Sequence, residues 1–171
     1  VSAVPVPEKS PDAGAGWHYG DPLGEQRTAE HDAVVVDRSH RAVIALTGAD
    51  RRPWLHSIST QHVADAPDGS STENLSLDGQ GRVEDHWLQT ELGKTTYLDT
   101  EPWRGEQLLS YLQKMVFWSD VQVSASDLAV LSLLMWGLMA PDQVRSVLTG
   151  RTARFGGTSI IVTLVFLLAL I

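Results

Sequence analysis

No cysteine occurs among the 171 residues. That excludes disulfides, thiolate metal sites and cysteine nucleophiles, and it fits a reducing compartment. Positive charge is scarce. Thirteen Lys and Arg against 21 Asp and Glu leave a net charge of −8. An acidic body repels phosphate backbones, so nucleic acid is disfavoured as a partner. The balance reverses only beyond residue 134, where Arg145, Arg151 and Arg154 stand against the single acid Asp142. No apolar core follows a basic start, which disfavours a signal peptide. No stretch reaches the roughly 20 apolar residues of a membrane helix. The six histidines form no His-x-x-x-His pair with nearby acids, so no metal site is expected. Ser39 and His40 are adjacent, and adjacency alone makes no nucleophile–base pair, which argues against a hydrolase.

What is present reads as one domain with a core, preceded by an arm. Residues 1–16 are rich in Pro, Ala and Gly and are expected to be flexible. Leu23 to Ala33 is polar and helix-compatible. Val34-Val35-Val36 opens buried structure, and Ala42 to Leu46, ending at Gly48, predicts a strand. Asp50 caps a helix with Pro53 in its first turn and Trp54, Leu55 and Ile58 on its apolar face. Ala66-Pro67-Asp68-Gly69 is a turn.

Asn74 to Trp87 then reads strand, glycine turn, strand. Asp78-Gly79 and Gly81 supply the positive φ that a hairpin turn requires. Alternation along the second strand puts Asp85 with Val83, Trp87 and Gln89, and Glu84 with Arg82, His86 and Leu88 on the other face. A carboxylate beside an aromatic ring suits a flat, partly cationic ligand, and the plain alternative is a surface acid on a hairpin. Thr95 to Leu98 is the next strand. Thr100 is expected to cap a third helix, with Glu101 and Pro102 in its first turn. Leu108, Leu109, Leu112, Met115 and Val116 give that helix a core stripe. Strands near 121–124 and 128–134 complete an α+β pattern with an antiparallel sheet.

Five segments in order carry a family resemblance. Val36 to Asp50 resembles an opening of the form D-x-S-x-x-x-(I/V)-x-(V/L)-x-G-x-D. Trp54 to Val63 resembles a helix F-L-x-x-x-x-T-x-D-V, with His62 in place of the usual acid. The hairpin resembles N-x-x-G-x-(V/I)-x-D, and Asp120 to Val123 and Leu128 to Leu133 resemble the strands that follow. Together they resemble the N-terminal part of the folate-binding family that contains the glycine cleavage T-protein (aminomethyltransferase) and YgfZ. The similarity runs over roughly 100 residues, about 34 to 134.

The resemblance implies tetrahydrofolate as cofactor. It places Asp85 as the catalytic acid and folate contact, with Trp87, Gln89 and Leu98 lining the pterin pocket. An acid there hydrogen-bonds the ligand and offsets positive charge as it develops. The resemblance favours the YgfZ type, a cytoplasmic folate-binding protein linked to iron–sulfur protein assembly or repair, with iron–sulfur proteins as partners. The chain lacks the T-protein's Asp-Asp pair and usual opening, and it also lacks YgfZ's later Lys-Gly-Cys motif. A folate-dependent aminomethyltransferase is the second reading, and a membrane-tethered interaction domain the third.

Beyond Leu134 the resemblance stops and the composition changes. Gln143 to Gly150 fits a short amphipathic helix, and Arg151 to Gly157 is basic and loop-like. Ile160 to Ile171 is twelve residues, polar only at Thr163. It is expected to be the first half of a membrane span beginning at about 158, with the preceding arginines holding its N-terminal side in the cytoplasm. A buried C-terminal strand or helix is the alternative. Residues 135–171 are therefore expected to be an unrelated tail on an incomplete folate-binding domain.

Overall fold

The structure, a computed structural model, describes residues 2–29, 34–135 and 160–166. In chain order the elements are β1 (Val4–Pro5), β2 (Gly16–His18), α1 (Pro22–Ala29), β3 (Val34–Asp37), β4 (Ala42–Thr47), α2 (Arg51–Ile58) and β5 (Ser71–Leu77). They continue as β6 (Val83–Leu92), β7 (Thr95–Thr100), α3 (Gly105–Lys114), β8 (Gln122–Ser126), β9 (Ala129–Met135) and β10 (Ile160–Phe166). The mixture is α+β with largely antiparallel sheets. Contacts divide the chain into two compact units, Val1–His40 with Leu128–Ile171, and Arg41–Asp127.

In the first unit, β1 and β2 pair antiparallel, so the arm expected to be flexible over 1–16 carries a strand. A second sheet has the order β10-β9-β3, with β3 antiparallel and β10 parallel to β9. Val35 and Val36 in β3 are exposed rather than buried.

The membrane-span expectation finds no support among the described residues. Ile160–Phe166 is a strand in register with Ala129–Met135, and no helix among the described residues is long and apolar enough to cross a membrane. The physical reason is composition. Ile160, Ile161, Val162, Thr163 and Val165 are β-branched, which favours a strand over a helix. An apolar run without alternation is also the pattern of a parallel strand covered on both faces. The helix expected over Gln143 to Gly150, the loop at Arg151 to Gly157 and residues 167–171 lie outside the described residues.

The second unit is a five-stranded antiparallel sheet of order β5-β6-β7-β4-β8. Its core joins Ile44 and Leu46 of β4, Trp87 of β6 and Leu98 of β7 to Trp54 and Leu55 of α2, Leu108 and Leu112 of α3, and Val63 and Val121 from the connections. Each helix thus supplies one apolar stripe to a single sheet face. The Trp54 indole donates to the Met115 carbonyl at 2.9 Å, which joins α2 to the end of α3.

Two helix starts differ from expectation. Asp50 is the N-cap residue of α2, but its side chain makes no capping bond; its Oδ2 accepts from the Asp120 N–H at 2.9 Å. α3 begins at Gly105, not after Thr100. Thr100 stays in β7, where its hydroxyl donates to the His86 carbonyl at 2.7 Å. Residues 101–104 form a turn closed by Arg104 N–H to the Glu101 carbonyl.

Candidate functional site at the Asp85 end of strand β6

Along β6 the side chains alternate as a strand dictates: Asp85, Trp87, Gln89 and Glu91 are buried, and Glu84 and His86 are exposed. Val83 departs from the row and is 59% exposed. The cause is a bulge. Ser76 pairs with Asp85 and Leu77 with Val83, so Glu84 is the extra residue and the alternation shifts at the strand's start. The predicted company of Asp85 is therefore Trp87 and Gln89, without Val83.

The buried row faces defined neighbours. Ser76 lies opposite Asp85, Asn74 and Thr100 flank Trp87, and Leu98 lies beside Gln89. The four residues expected to form a ligand site thus occupy one face. They are not equally available. Trp87, Gln89 and Leu98 are at most 1% exposed and lie within the core side of the sheet.

Gln89 is engaged on both ends of its amide. Its Oε1 accepts from Asn74 Nδ2 at 3.2 Å and its Nε2 donates to Glu91 Oε1 at 3.1 Å. Asn74 in turn accepts the Thr60 and Gln61 N–H groups at 3.1 Å each. Glu91 takes the Thr96 hydroxyl at 2.7 Å and lies 3.5 Å from Arg51 Nη2. This chain of buried polar groups is satisfied within the protein, as burial demands. Trp87 is the exception, because its buried Nε1–H has no hydrogen-bond partner among the described residues.

Asp85 is the end of the row that reaches solvent, through its partner. Both Nε and Nη2 of Arg104 lie 2.7 Å from Asp85 Oδ1. The Asp85 side chain is 5% exposed and that of Arg104 is 36% exposed. The other carboxylate oxygen, Oδ2, accepts from the Ser76 hydroxyl at a long 3.4 Å. Tyr111, on α3, completes the surroundings. Burial pushes its phenol above the ordinary range, and the negative charges of Glu84 and Asp85 push it further the same way. The assembly offers a buried carboxylate with an arginine on one oxygen and only a long hydroxyl contact on the other. It can hold a ligand that donates N–H groups to a carboxylate.

Sequence reasoning named Asp85 as a candidate and did not name Arg104, Ser76 and Tyr111, which surround it. Two signals point to them. The hairpin places Ser76 opposite Asp85 once the bulge is known. Arg104, Leu108 and Tyr111 follow helical spacing from the start of α3, so the arginine falls in line with the core-facing stripe.

His56 and His62 lie close together, because α2 ends at Ile58 and the chain turns back. Their rings meet edge to face at 4.5 Å. His56 Nδ1 lies 3.1 Å from the Gln61 carbonyl, and His62 Nε2 lies 3.6 Å from Asp65 on an exposed loop. Among the described residues no three His, Asp or Glu side chains are grouped to hold a metal ion.

No protein-family model matches the chain. It is 28% identical over 141 residues to an aminomethyltransferase of Chromobacterium violaceum, covering 78% of this chain and 37% of that protein. It is 30% identical over 88 residues to a probable aminomethyltransferase of Pyrococcus horikoshii, covering 49% of this chain and 22% of that protein. Among solved structures it resembles the glycine cleavage system aminomethyltransferase T of Bartonella henselae with a TM-score of 0.63 and 22% identity, over 70% of this chain and 34% of that one. The chain is thus homologous to aminomethyltransferases over part of its length. It spans little more than a third of the longest-matched curated relative.

Proposed function

We propose that this chain, homologous in part to aminomethyltransferases, carries a tetrahydrofolate site centred on Asp85 and acts as a folate-binding protein of the YgfZ type, linked to iron–sulfur protein assembly or repair. The single observation that carries the reading is the placement of Asp85. A buried carboxylate at the start of β6 carries Arg104 on one oxygen and only a long Ser76 contact on the other, and it stands at the end of the row Asp85, Trp87, Gln89 whose partner is part-exposed. In this reading Asp85 accepts a pterin N–H, and Trp87, Gln89 and Leu98 shape the site from the core side. The resemblance of the hairpin motif supports the same assignment.

The second reading, a folate-dependent aminomethyltransferase, is favoured by the names of the relatives. There Asp85 acts on the reacting nitrogen and offsets charge that develops on it. One assay tests the site and a second separates the readings. Tetrahydrofolate added to the isotopically labelled chain is expected to shift the Asp85 amide, the Arg104 Nε–H and the Trp87 indole resonances under either. Transfer of the methylene carbon from an aminomethyl-lipoyl protein to tetrahydrofolate, with release of ammonia and the dihydrolipoyl thiol, is expected only under the second. Shifts confined to other parts of the chain overturn the site.

A further inference from the structure

After α3 the chain reverses through Val116 to Ser119, closed by the Ser119 N–H on the Val116 carbonyl at 3.0 Å. Its two central residues are Phe117 and Trp118, where turns ordinarily carry glycine or a small polar residue. Phe117 has φ +47° and is the one non-glycine residue with positive φ among the described residues. A bulky side chain is strained there. Burial does not offset that strain, because Phe117 is 71% and Trp118 96% exposed. The two rings lie 5.9 Å apart, tilted by 45°, and the faces of the indole are open to solvent. The base of the turn is firmly held. Asp120 N–H donates to Asp50 Oδ2 at 2.9 Å, Ala49 N–H to Asp120 Oδ2 at 3.2 Å, and Asp50 N–H to the Asp120 carbonyl at 3.2 Å. The aromatic pair is thus presented, strained and uncovered, on a preorganised support. Preorganised exposed aromatics are what an interface uses as anchors.

We propose that Phe117 and Trp118, with Asp50 and Asp120, form a docking surface for an arginine-bearing basic segment of a partner protein. Charge selects the partner. Asp50 and Asp120 are both exposed, and each has its second carboxylate oxygen without a hydrogen-bond partner among the described residues. Arg51 and Arg52 are engaged with Glu91 and the Ala66 carbonyl, and Lys114 is the one basic residue between Gly105 and Asp127. The whole chain carries −8, so anionic surfaces are repelled. A purely apolar partner strips water from two carboxylates and returns nothing. A guanidinium answers both features: it lies flat on an indole and donates N–H groups to a carboxylate. The surface follows the end of α3, whereas Arg104 and Asp85 meet at its start, so the proposal does not depend on the folate reading.

The test titrates capped tetra-arginine and capped tetra-lysine into the isotopically labelled full chain, at about 0.15 M salt to screen net charge. Wild type is expected to bind tetra-arginine with a saturable shift of the Trp118 indole N–H, and to prefer it to tetra-lysine by about threefold. Trp118→Ala, at a side chain the fold leaves uncovered, is expected to weaken tetra-arginine binding about three- to fivefold and to abolish the preference. Phe117→Gly suits the positive φ, so it is expected to leave urea stability equal or higher while also weakening tetra-arginine binding. Equal tetra-arginine affinity in wild type and Trp118→Ala means attraction by net charge alone and overturns the proposal. Absence of binding, or shifts confined to other tryptophans, overturns it as well. Trp118-dependent binding to phosphatidylcholine vesicles, or Trp118-dependent dimerisation, without a response to tetra-arginine assigns the aromatic pair to a membrane or to a second copy of this chain and overturns the basic partner.

Discussion

Asp85 shows how a buried charge is tolerated: it has a guanidinium on one oxygen and a hydroxyl near the other. Arg41 shows the same principle away from the site. Burial alone draws its pKa down, but Asp99 and Glu101 more than offset this and hold it above the ordinary value. Tyr111 also reads the field around Asp85. Its raised pKa means that folding favours the neutral phenol. The stability it contributes is therefore complete below the unfolded value of about 10 and is lost as pH climbs through the higher folded value. Asp85→Asn removes one of the negative charges, so the Tyr111 midpoint is expected to fall toward 10 without reaching it, because burial remains. Titration of the labelled tyrosine ring carbon by NMR checks this, and an unchanged midpoint contradicts the placement of Tyr111 beside Asp85. At this scale the sequence exposed the acid through its hairpin motif. It hid the cation, because 19 positions separate Arg104 from Asp85 and only the packing of α3 on the sheet joins them.

The elements were legible where periodicity is strong and obscure where one residue resets it. The stripe Leu108, Leu109, Leu112, Met115, Val116 does pack on the core. The bulge at Glu84 was not legible, since nothing in the order of residues marks an unpaired position, and it sent Val83 to solvent. The start of α3 slipped because Thr100 is a good cap by type yet is held by the His86 carbonyl in the sheet. Gly48 is a position where local sequence and fold agree. Its φ is +108°, and an added Cβ falls 2.1 Å from the Asp120 carbonyl oxygen, where β4 turns into α2. Asp50 N–H donates to that same carbonyl. Gly48→Ala is expected to cost roughly 3 kcal/mol or more, from backbone strain together with the clash. Urea unfolding checks it, and a loss below about 1 kcal/mol contradicts the close approach of the Asp120 loop.

At the scale of the whole molecule, two units share one chain, and the candidate site lies in the unit Arg41–Asp127. The apolar run at the C-terminal end was the hardest part to read. Twelve residues with one threonine satisfy a truncated membrane helix and a covered strand equally by hydropathy. The β-branched content and the pairing with Ala129–Met135 decide for a strand over Ile160–Phe166. Calorimetric titration of tetrahydrofolate into the 171-residue chain, beside Asp85→Ala, tests the central claim most directly. The account predicts saturable binding by wild type and at least about a tenfold loss in the variant, of the size expected for one charge-assisted hydrogen bond. Equal affinity in the two folded proteins, or no binding by wild type, contradicts a folate site centred on Asp85.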